Sequence, residues 1–440
     1  MGKTPAPVCK CIQELKPIYL VARVLGLAPF LIKVDPDTNE DIVNVKFTSN
    51  VGGIAASLVL FTTTLSGFVY TILQPEFSMK SDPGDILCNV VSIPINYIST
   101  LILLTMTLTV NRYKIEELVH KLVLIDEHLA HLRGRRADGR KKSNAEFYLL
   151  ILALTVLFMC YDIFLWSQSF SLMFCINKRF SHIITLVAKM QFCNTVLMIR
   201  SRLSGVQEIL SLTLSGKSSH TNDLPALAPG ERKDINKVYY LTSNIMQVAS
   251  VEALNDPLAF NTITADAKSL PFADTYTVLN LRRIYNHIYE CTKIINSIFG
   301  FNILLDMCRI LTSLTSALYS VVRLFNEPIE AVTNLHFSDF ILSRIIWIFI
   351  FVGTTASLTV ICGMTASRGK DIAHKVQTLL LQDSQKSDVV EQLKLFSQQI
   401  SNDRIVFTAS GFFVMDLSVL CAFLTSVTTY IIVLIQFKSR

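Results

Sequence analysis

Seven unbroken apolar runs restrict the fold of this 440-residue sequence more than any other feature. Each is about 20 residues long, the length of an α-helix that crosses the roughly 30 Å hydrocarbon core of a bilayer. Only 17% of the residues are charged, against about 25% in soluble proteins. The sequence therefore predicts an all-α protein with seven transmembrane helices, at residues 51–73, 86–110, 147–166, 181–199, 294–322, 340–366 and 417–437.

Lysine and arginine alternate between rich and poor connecting segments, and this alternation indicates the orientation. The rich segments hold five, nine, ten and six of these residues, and each poor segment holds one or two. Because basic loops are retained in the cytoplasm, we expect the N-terminus inside and the C-terminus outside, the reverse of a G-protein-coupled receptor. The rich segments are the first 45 residues, 111–146, 200–293 and 367–410.

The same spans predict a division of the chain into six segments. Apolar residues at helical spacing in the inner loops indicate that helices extend into the cytoplasm and bundle there. The anchor helix would suit either a subunit contact or packing on its own chain. In order, the segments are a cytoplasmic N-terminus with an amphipathic or re-entrant helix (1–50), helices one to four (51–200), a cytoplasmic loop with a helical extension (201–293), helices five and six (294–366), a cytoplasmic anchor helix (367–416) and the last transmembrane helix (417–440).

Motifs of catalysis and of cofactor binding are missing from the sequence. Ser215-Gly216-Lys217-Ser218 resembles the end of a phosphate-binding loop, but Ser211 stands where that loop requires glycine. The ten cysteines are scattered, which indicates neither a zinc site nor a disulfide framework. The net charge of +6 is explained by the basic inner loops. We therefore expect a membrane-embedded protein that is not an enzyme and has no cofactor, no metal and no nucleic-acid partner.

Four charged residues lie inside the predicted spans, where each costs at least about 2.5–3.5 kcal/mol on insertion scales. They are Asp162, Lys189, Asp306 and Arg309. Two acids and two bases can neutralise one another, so we expect one polar network. That network either fixes helix packing or takes part in ligand binding.

Aromatic and polar residues in the outer halves of spans three, five and six predict a ligand pocket that opens to the outside. A tryptophan at the membrane interface is commonly an anchor, which favours that role for Trp166. Trp347 lies deeper in its span and is expected to contact a small-molecule ligand. The full set of candidates is Tyr161, Asp162, Trp166, Ser316, Tyr319, Arg344 and Trp347.

The final span ends in residues 429–437, TYIIVLIQF, which fit the pattern TYhhhhhQF at every position, where h is an apolar residue. By this motif the chain resembles the insect gustatory receptor family, which is related to insect odorant receptors and their co-receptor. Further segments are similar to that family. They are Phe407 to Phe413 with Asp416, Leu281 to Arg283, Ile295-Asn296, Phe299 to Phe301, Pro17 to Tyr19 and Gly26 to Pro29.

The resemblance implies a nonselective cation channel in the plasma membrane of a chemosensory neuron. It would be a homotetramer, or a hetero-oligomer with other gustatory receptors, whose final spans line a central pore for permeating cations. Val433 matches the apolar constriction of the co-receptor, and Gln436 with Phe437 matches the outer gate region. An apolar ring closes a pore by dewetting. The pore and gate candidates are Thr429, Tyr430, Val433, Gln436 and Phe437.

The residue after the motif tyrosine bears on the ligand. The main sweet-taste branch has an acidic residue there, and this chain has Ile431. Fructose-type and bitter-type receptors both allow an aliphatic residue at this position. The stretch from Leu281 to Phe301 looks more like the bitter or broadly tuned branch. The resemblance therefore favours a plant-derived, bitter-type or broadly tuned tastant, with a fructose-type sugar receptor as the alternative. A metabotropic seven-helix receptor and a co-receptor that binds no ligand are further alternatives.

Overall fold

The structure is a computed structural model that describes eleven ranges of the chain, and nearly all of them are helical. This confirms the all-α class. The described residues are 7–28, 30–35, 44–49, 51–73, 91–109, 111–133, 145–168, 171–218, 275–326, 337–381 and 387–438.

Ten α-helices occur within these ranges. Six of them, α2, α5, α6, α7, α8 and α10, are long and apolar enough to cross a membrane. Helix α3 qualifies as a seventh span when it is taken together with α4, from which it is bent by 67°. The helices are α1 (Pro7–Val24), α2 (Val51–Leu73), α3 (Ile93–Thr109), α4 (Asn111–Arg133), α5 (Ala145–Trp166), α6 (Leu172–Ser218), α7 (Thr275–Asn326), α8 (Phe337–Leu380), α9 (Ser387–Asn402) and α10 (Leu417–Lys438).

Helices α6, α7 and α8 contain 47, 52 and 44 residues, about twice the length that a bilayer requires. The predicted helical extensions are therefore continuations of the spans themselves. Two boundaries differ from the prediction. Helix α6 begins at Leu172 rather than at residue 181, so Arg179 belongs to a helix and not to a loop. Residues 371–380 continue α8 instead of opening the anchor helix.

Helix α6 is the centre of the bundle. It packs against α8 and α7, and also against α1 to α5. Of its most apolar stretch, 78% of the residues are buried. Residues such as Val196, Ile199, Leu203 and Val206 recur every three or four positions and join one continuous apolar core with α7 and α8.

The N-terminal region, where an amphipathic or re-entrant helix was predicted, holds a helix that contacts the bundle. Helix α1 packs against α4 and α6, and Glu14 on α1 forms an ion pair of 2.7 Å with the buried Arg202. Arg202 also pairs with Asp126 of α4 at 2.6 Å. Because the buried Arg202 is paired with both acids, this contact docks α1 on the bundle.

Helix α1 ends in a turn and is followed by two strands, neither of which was predicted. Gly26 has φ of +64°, and a side chain there would lie 2.9 Å from the Cα atom of Ser57 on α2. Glycine is therefore required at this helix end. Strand β1 (Phe30–Asp35) then pairs antiparallel with β2 (Asn44–Ser49), so the all-α description omits one small sheet.

The apolar stripe of α9 is covered by its own chain. Val389, Leu393, Phe396 and Ile400 follow helical spacing and are at most 4% exposed. Helix α9 packs against α7 and α8. Of the two interpretations offered for the anchor helix, packing on its own chain accounts for this stripe.

Candidate functional site

A small cavity of about 40 Å³ lies at one end of the bundle, where α5 ends and α6 and α8 begin. Residues of α3 and of the second half of α7 complete its wall. Ionic and aromatic side chains dominate the part of the wall formed by α6 and α8. Prominent lining residues are Asn96, Lys178, Arg179, His182, Arg344 and Trp347.

Arg179 holds two groups in place at the cavity wall. Its guanidinium forms an ion pair with Asp162, which is fully buried on α5. The same guanidinium stacks over the ring of Trp347, 4.5 Å from the ring centroid. Ser343 donates a hydrogen bond of 2.5 Å to Asp162 Oδ1. The charge of Asp162 is therefore neutralised by a residue that the sequence analysis assigned to a loop.

Arg344 forms the neighbouring part of the wall. Its guanidinium lies 5.0 Å from the ring centroids of both Trp166 and Phe340. These two rings meet edge to face at 5.7 Å. Trp166 thus supports Arg344 from behind, and Arg344 rather than Trp166 faces the cavity.

His182 connects the cavity with a second buried ionic cluster. Its Nδ1 atom lies 3.0 Å from Arg309 Nη1, and it accepts this bond because arginine only donates. Arg309 donates two further bonds, of 3.0 and 2.6 Å, to Asp306 Oδ1. Lys189 pairs with the other oxygen of Asp306 at 3.2 Å. Two cations therefore share one carboxylate next to the cavity.

The structure divides the predicted polar network in two. Lys189, Asp306 and Arg309 lie together between α6 and α7. Asp162 belongs to a separate pair with Arg179, so it does not join the other three. Complementary charge predicted the right kind of partner but the wrong grouping, because charge alone carries no information on distance.

Three of the predicted ligand contacts, Ser316, Arg344 and Trp347, line the cavity. Asp162 and Trp166 lie directly behind lining residues. Tyr319 is buried and Tyr161 is 37% exposed, and neither is a lining residue.

Sequence reasoning missed several lining residues. Lys178 and Arg179 lower the hydropathy at the start of α6 and so were counted as loop residues. Asn96 is a strongly polar amide within the second apolar run, and this position could have indicated a polar cavity. The residues missed include Asn96, Lys178, Arg179 and His182.

The terminal motif lies on α10, which has two distinct faces. Phe423 and Val427 are 8% and 2% exposed and pack towards α7 and α8. Thr429, Val433 and Gln436 are exposed and share the opposite face, because they stand at i, i+4 and i+7. The remaining candidates divide further. Tyr430 is 53% exposed at the edge of this face, and the side chain of Phe437 lies outside the described residues.

The segment between α9 and α10 is clamped by motif residues of α7. The side-chain amide of Asn296 donates to Val406 O at 2.9 Å and accepts from Thr408 N at 3.2 Å. A side chain at Gly300 would lie 2.9 Å from Ser410 N, so only glycine permits this close approach. The family-like motifs on α7 and before α10 are therefore two sides of one contact.

Asp416 caps the start of α10. Its Oδ1 atom accepts hydrogen bonds from the backbone N–H groups of Ser418 and Val419, at 2.9 and 3.3 Å. It also accepts from the Ser418 hydroxyl at 2.5 Å. The hydroxyl bond is the main reason that the pKa of Asp416 is lowered from its ordinary value. Two of the N-terminal amides of α10 are thereby satisfied.

Comparison with known proteins agrees with this architecture. A sequence model described as "7tm Chemosensory receptor" matches residues 15–440. The putative gustatory receptor 28a of Drosophila melanogaster is 22% identical, over 97% of this chain and 91% of that protein. The gustatory receptor for bitter taste 66a of the same species is 20% identical, over 100% of this chain and 91% of that protein.

Two solved structures share the fold. They are the olfactory receptor OR5 of Machilis hrabei alone, with a TM-score of 0.58, and in complex with eugenol, with a TM-score of 0.56. Each is 12% identical and covers 98% of this chain and 99% of its own. The chain thus belongs to the 7tm chemosensory receptor family of multi-pass membrane proteins, and its similarity to fly taste receptors confirms the insect gustatory receptor family that the terminal motif predicted.

Proposed function

We propose that the chain is a taste receptor that acts as a ligand-gated, nonselective cation channel, with α10 of four subunits around a central pore. The main support for this proposal is the exposed face of α10. Only 11% of its apolar stretch is buried within the subunit, and the exposed face presents Thr429, Val433 and Gln436. Polar groups that face lipid are unfavourable. The Thr429 hydroxyl donates to Thr425 O at 3.0 Å, and a water-filled axis between subunits lets the polar side of α10 face water rather than lipid.

The size of the cavity supports a mechanism of opening. Ligand pockets usually measure about 300–1,000 Å³, whereas this cavity measures about 40 Å³. A tastant therefore has to separate α6, α7 and α8 in order to bind. Helix α10 packs on α7 and α8, so their displacement moves the pore helix directly. Ligand binding then favours the open state in proportion to its greater affinity for that state.

The ligand that we favour is a plant-derived, bitter-type or broadly tuned tastant. One relative over the full length of the chain is named as a bitter-taste receptor. The main sweet-taste branch has an acidic residue after the motif tyrosine, and Ile431 at this position therefore argues against that branch. The cytoplasmic N-terminus and external C-terminus remain part of the proposal, because the alternation of basic segments supports them.

Whole-cell recording from cells that express this chain alone tests the proposal, with alkaloids and sugars as ligands. We expect ligand-evoked cation currents that persist when G-protein signalling is blocked. Val433→Ala should raise the current without ligand, since a smaller apolar ring seals a pore less well. Gln436→Ala should change the preference among cations.

Leu424→Ala is the matched control, because Leu424 is 40% exposed on a different side of α10. Currents that disappear under G-protein blockade would overturn the channel. Identical behaviour of all three variants would overturn the pore assignment. A tag after Arg440 that antibody reaches only in permeabilised cells would overturn the orientation.

A further inference from the structure

Helix α4 packs along the first half of α7, and two lysines of α4 meet acceptors there. Lys114 donates a hydrogen bond of 2.5 Å to the Ser297 hydroxyl. Lys121, seven residues further along α4, forms an ion pair of 2.5 Å with Glu290. Residues seven positions apart lie on the same side of an α-helix. A cation on α4 and an oxygen on α7 therefore hold the two helices together at two successive positions of a seven-residue repeat.

The third position of this repeat holds a different kind of pair. His128 follows Lys121 by seven residues, and its ring stacks with that of His287 on α7. The ring centroids are 6.4 Å apart, the ring planes differ by 3°, and both side chains are half-buried. The Nδ1 atom of His287 has no hydrogen-bond partner among the described residues. Two titratable groups thus oppose each other where the first two positions pair a cation with an oxygen.

The carboxylate beside His287 is already in use. Oε2 of Glu290 lies 3.6 Å from His287 Nδ1, too far for a hydrogen bond, and pairs with Lys121. Oε1 of Glu290 accepts from the side-chain amide of Asn286 at 3.0 Å. Lys121 also lies 3.7 Å from Glu117 of its own helix. A proton added to His287 therefore has to share a carboxylate that a lysine already binds.

The surroundings of His128 disfavour its charged form. Burial is the main cause that lowers the pKa of this imidazole, and the neighbouring His287 acts in the same direction. His131 and Arg283 add to the effect, and Glu127 opposes it. Because the pKa is lowered in the packed contact, separation of α4 from α7 returns it towards the ordinary value. Acid therefore favours separation, and the contact is weakened as the pH falls below the ordinary histidine pKa of about 6.5.

We propose that His128 and His287 form a cytoplasmic pH sensor, in which protons bound to both imidazoles push α4 away from α7 and make the channel easier to open. Helix α10 packs on α7, and α7 has to move before the cavity of about 40 Å³ can admit a tastant. A weaker contact with α4 lowers the resistance to that movement. The inference rests on the proposed function and on the cytoplasmic location that the basic segments predict.

Thermal unfolding of the purified full-length protein tests the sensor without any current. The measurement compares about pH 7.5 with about pH 5.5, on either side of the ordinary histidine pKa. The fall in unfolding temperature on acidification should be smaller by about 2 °C in His128→Gln and in His287→Gln than in the unmodified protein. The double variant should gain little more, because the repulsion needs both charges.

His120→Gln is the matched control, because His120 is an exposed histidine of the same helix. It should lose stability in acid as the unmodified protein does. The inference would be overturned if His128→Gln and His287→Gln kept the full acid-induced fall, or if His120→Gln reduced it equally.

Recording from inside-out patches tests the effect on opening. Val433→Ala is used as the background, since it should conduct without ligand. Acidification of the cytoplasmic solution from about pH 7.5 to about pH 5.5 should raise this current about fivefold, the lower end of typical coupling between sites. The rise should be lost when His128→Gln is added and kept when His120→Gln is added. A rise of equal size in both would overturn the inference.

The two measurements separate the sensor from the channel. Acid-sensitive stability that depends on His128 and His287, in a protein that never conducts, would support the sensing contact and count against the channel. A ligand-evoked current with no effect of cytoplasmic pH would support the channel and count against the sensor.

Discussion

Helices α6 and α10 both have the length and composition of a membrane span, yet they are buried to opposite extents. In α6, 78% of the most apolar stretch is buried, and in α10 only 11%. The buried helix is the more polar of the two. Helix α6 carries Arg179, Lys189 and Arg202, each in a buried ion pair, whereas α10 has no ionisable side chain between Leu417 and Gln436 except Cys421 and Tyr430. Charge in a span thus indicates packing inside a subunit, and its absence indicates a helix that faces lipid or other subunits.

The largest effect that we predict concerns the buried ionic cluster of Lys189, Asp306 and Arg309 between α6 and α7. Asp306→Ala leaves Lys189 and Arg309 buried without their shared carboxylate. Loss of one partner from a buried ion pair costs about 3–5 kcal/mol. We therefore expect a large fall in the thermal unfolding temperature of the detergent-solubilised protein, together with a loss of surface expression.

Glu391→Ala on the exposed side of α9 is the matched control, and it should behave like the unmodified protein. If Asp306→Ala were as stable as Glu391→Ala, the cluster would not be what holds α6 to α7. The double change Asp306→Asn with Lys189→Met should recover part of the stability, because Arg309 keeps an amide acceptor and no lysine remains unpaired.

A smaller effect should distinguish the two faces of α10. Phe423→Ala removes a ring that is 8% exposed, and Ile432→Ala shortens a side chain that is 50% exposed. In water-soluble cores such truncations cost several kcal/mol, but lipid removes the hydrophobic part of the difference, so we expect about 1–2 kcal/mol for Phe423→Ala. Ile432→Ala should leave subunit stability unchanged.

The oligomer provides the second measurement for this pair. If other subunits cover the exposed face, Ile432→Ala should lower the fraction of oligomer in native mass spectrometry, whereas Phe423→Ala should act on unfolding first. Equal destabilisation of the subunit by both variants would contradict the assignment of the two faces.

The first and the last membrane span were the easiest to predict from sequence. The first predicted span covers the same residues as α2, and the last predicted span differs from α10 by one residue. Both helices are apolar throughout and meet few polar partners, so hydropathy alone describes them. The terminal motif also identified the family, because its nine residues are contiguous in the sequence and can be recognised without knowledge of distant contacts.

The centre of the molecule was harder, for one physical reason. Arg179 and Asp162 are each unfavourable in a span and become acceptable only as a pair. Their partners come from different helices, so no local pattern reveals them. The start of α6 was placed too late and the polar network was grouped wrongly because both depend on this pairing. The cavity shares that limit, since its wall is assembled from four helices.

The smallest effect that we predict is at the start of α10, where a helix with few buried residues depends on its cap. Asp416→Ala should cost about 1 kcal/mol, whereas Asp416→Asn should cost little, since asparagine caps nearly as well. The pKa of Asp416 is lowered in the folded protein. Its contribution is therefore complete above the ordinary aspartate pKa, and it is lost as the pH falls through the lower folded value. Thermal unfolding as a function of pH checks this. Asp416→Asn should become more stable relative to the unmodified protein only in acid. A constant difference at every pH would show that the carboxylate does not cap α10.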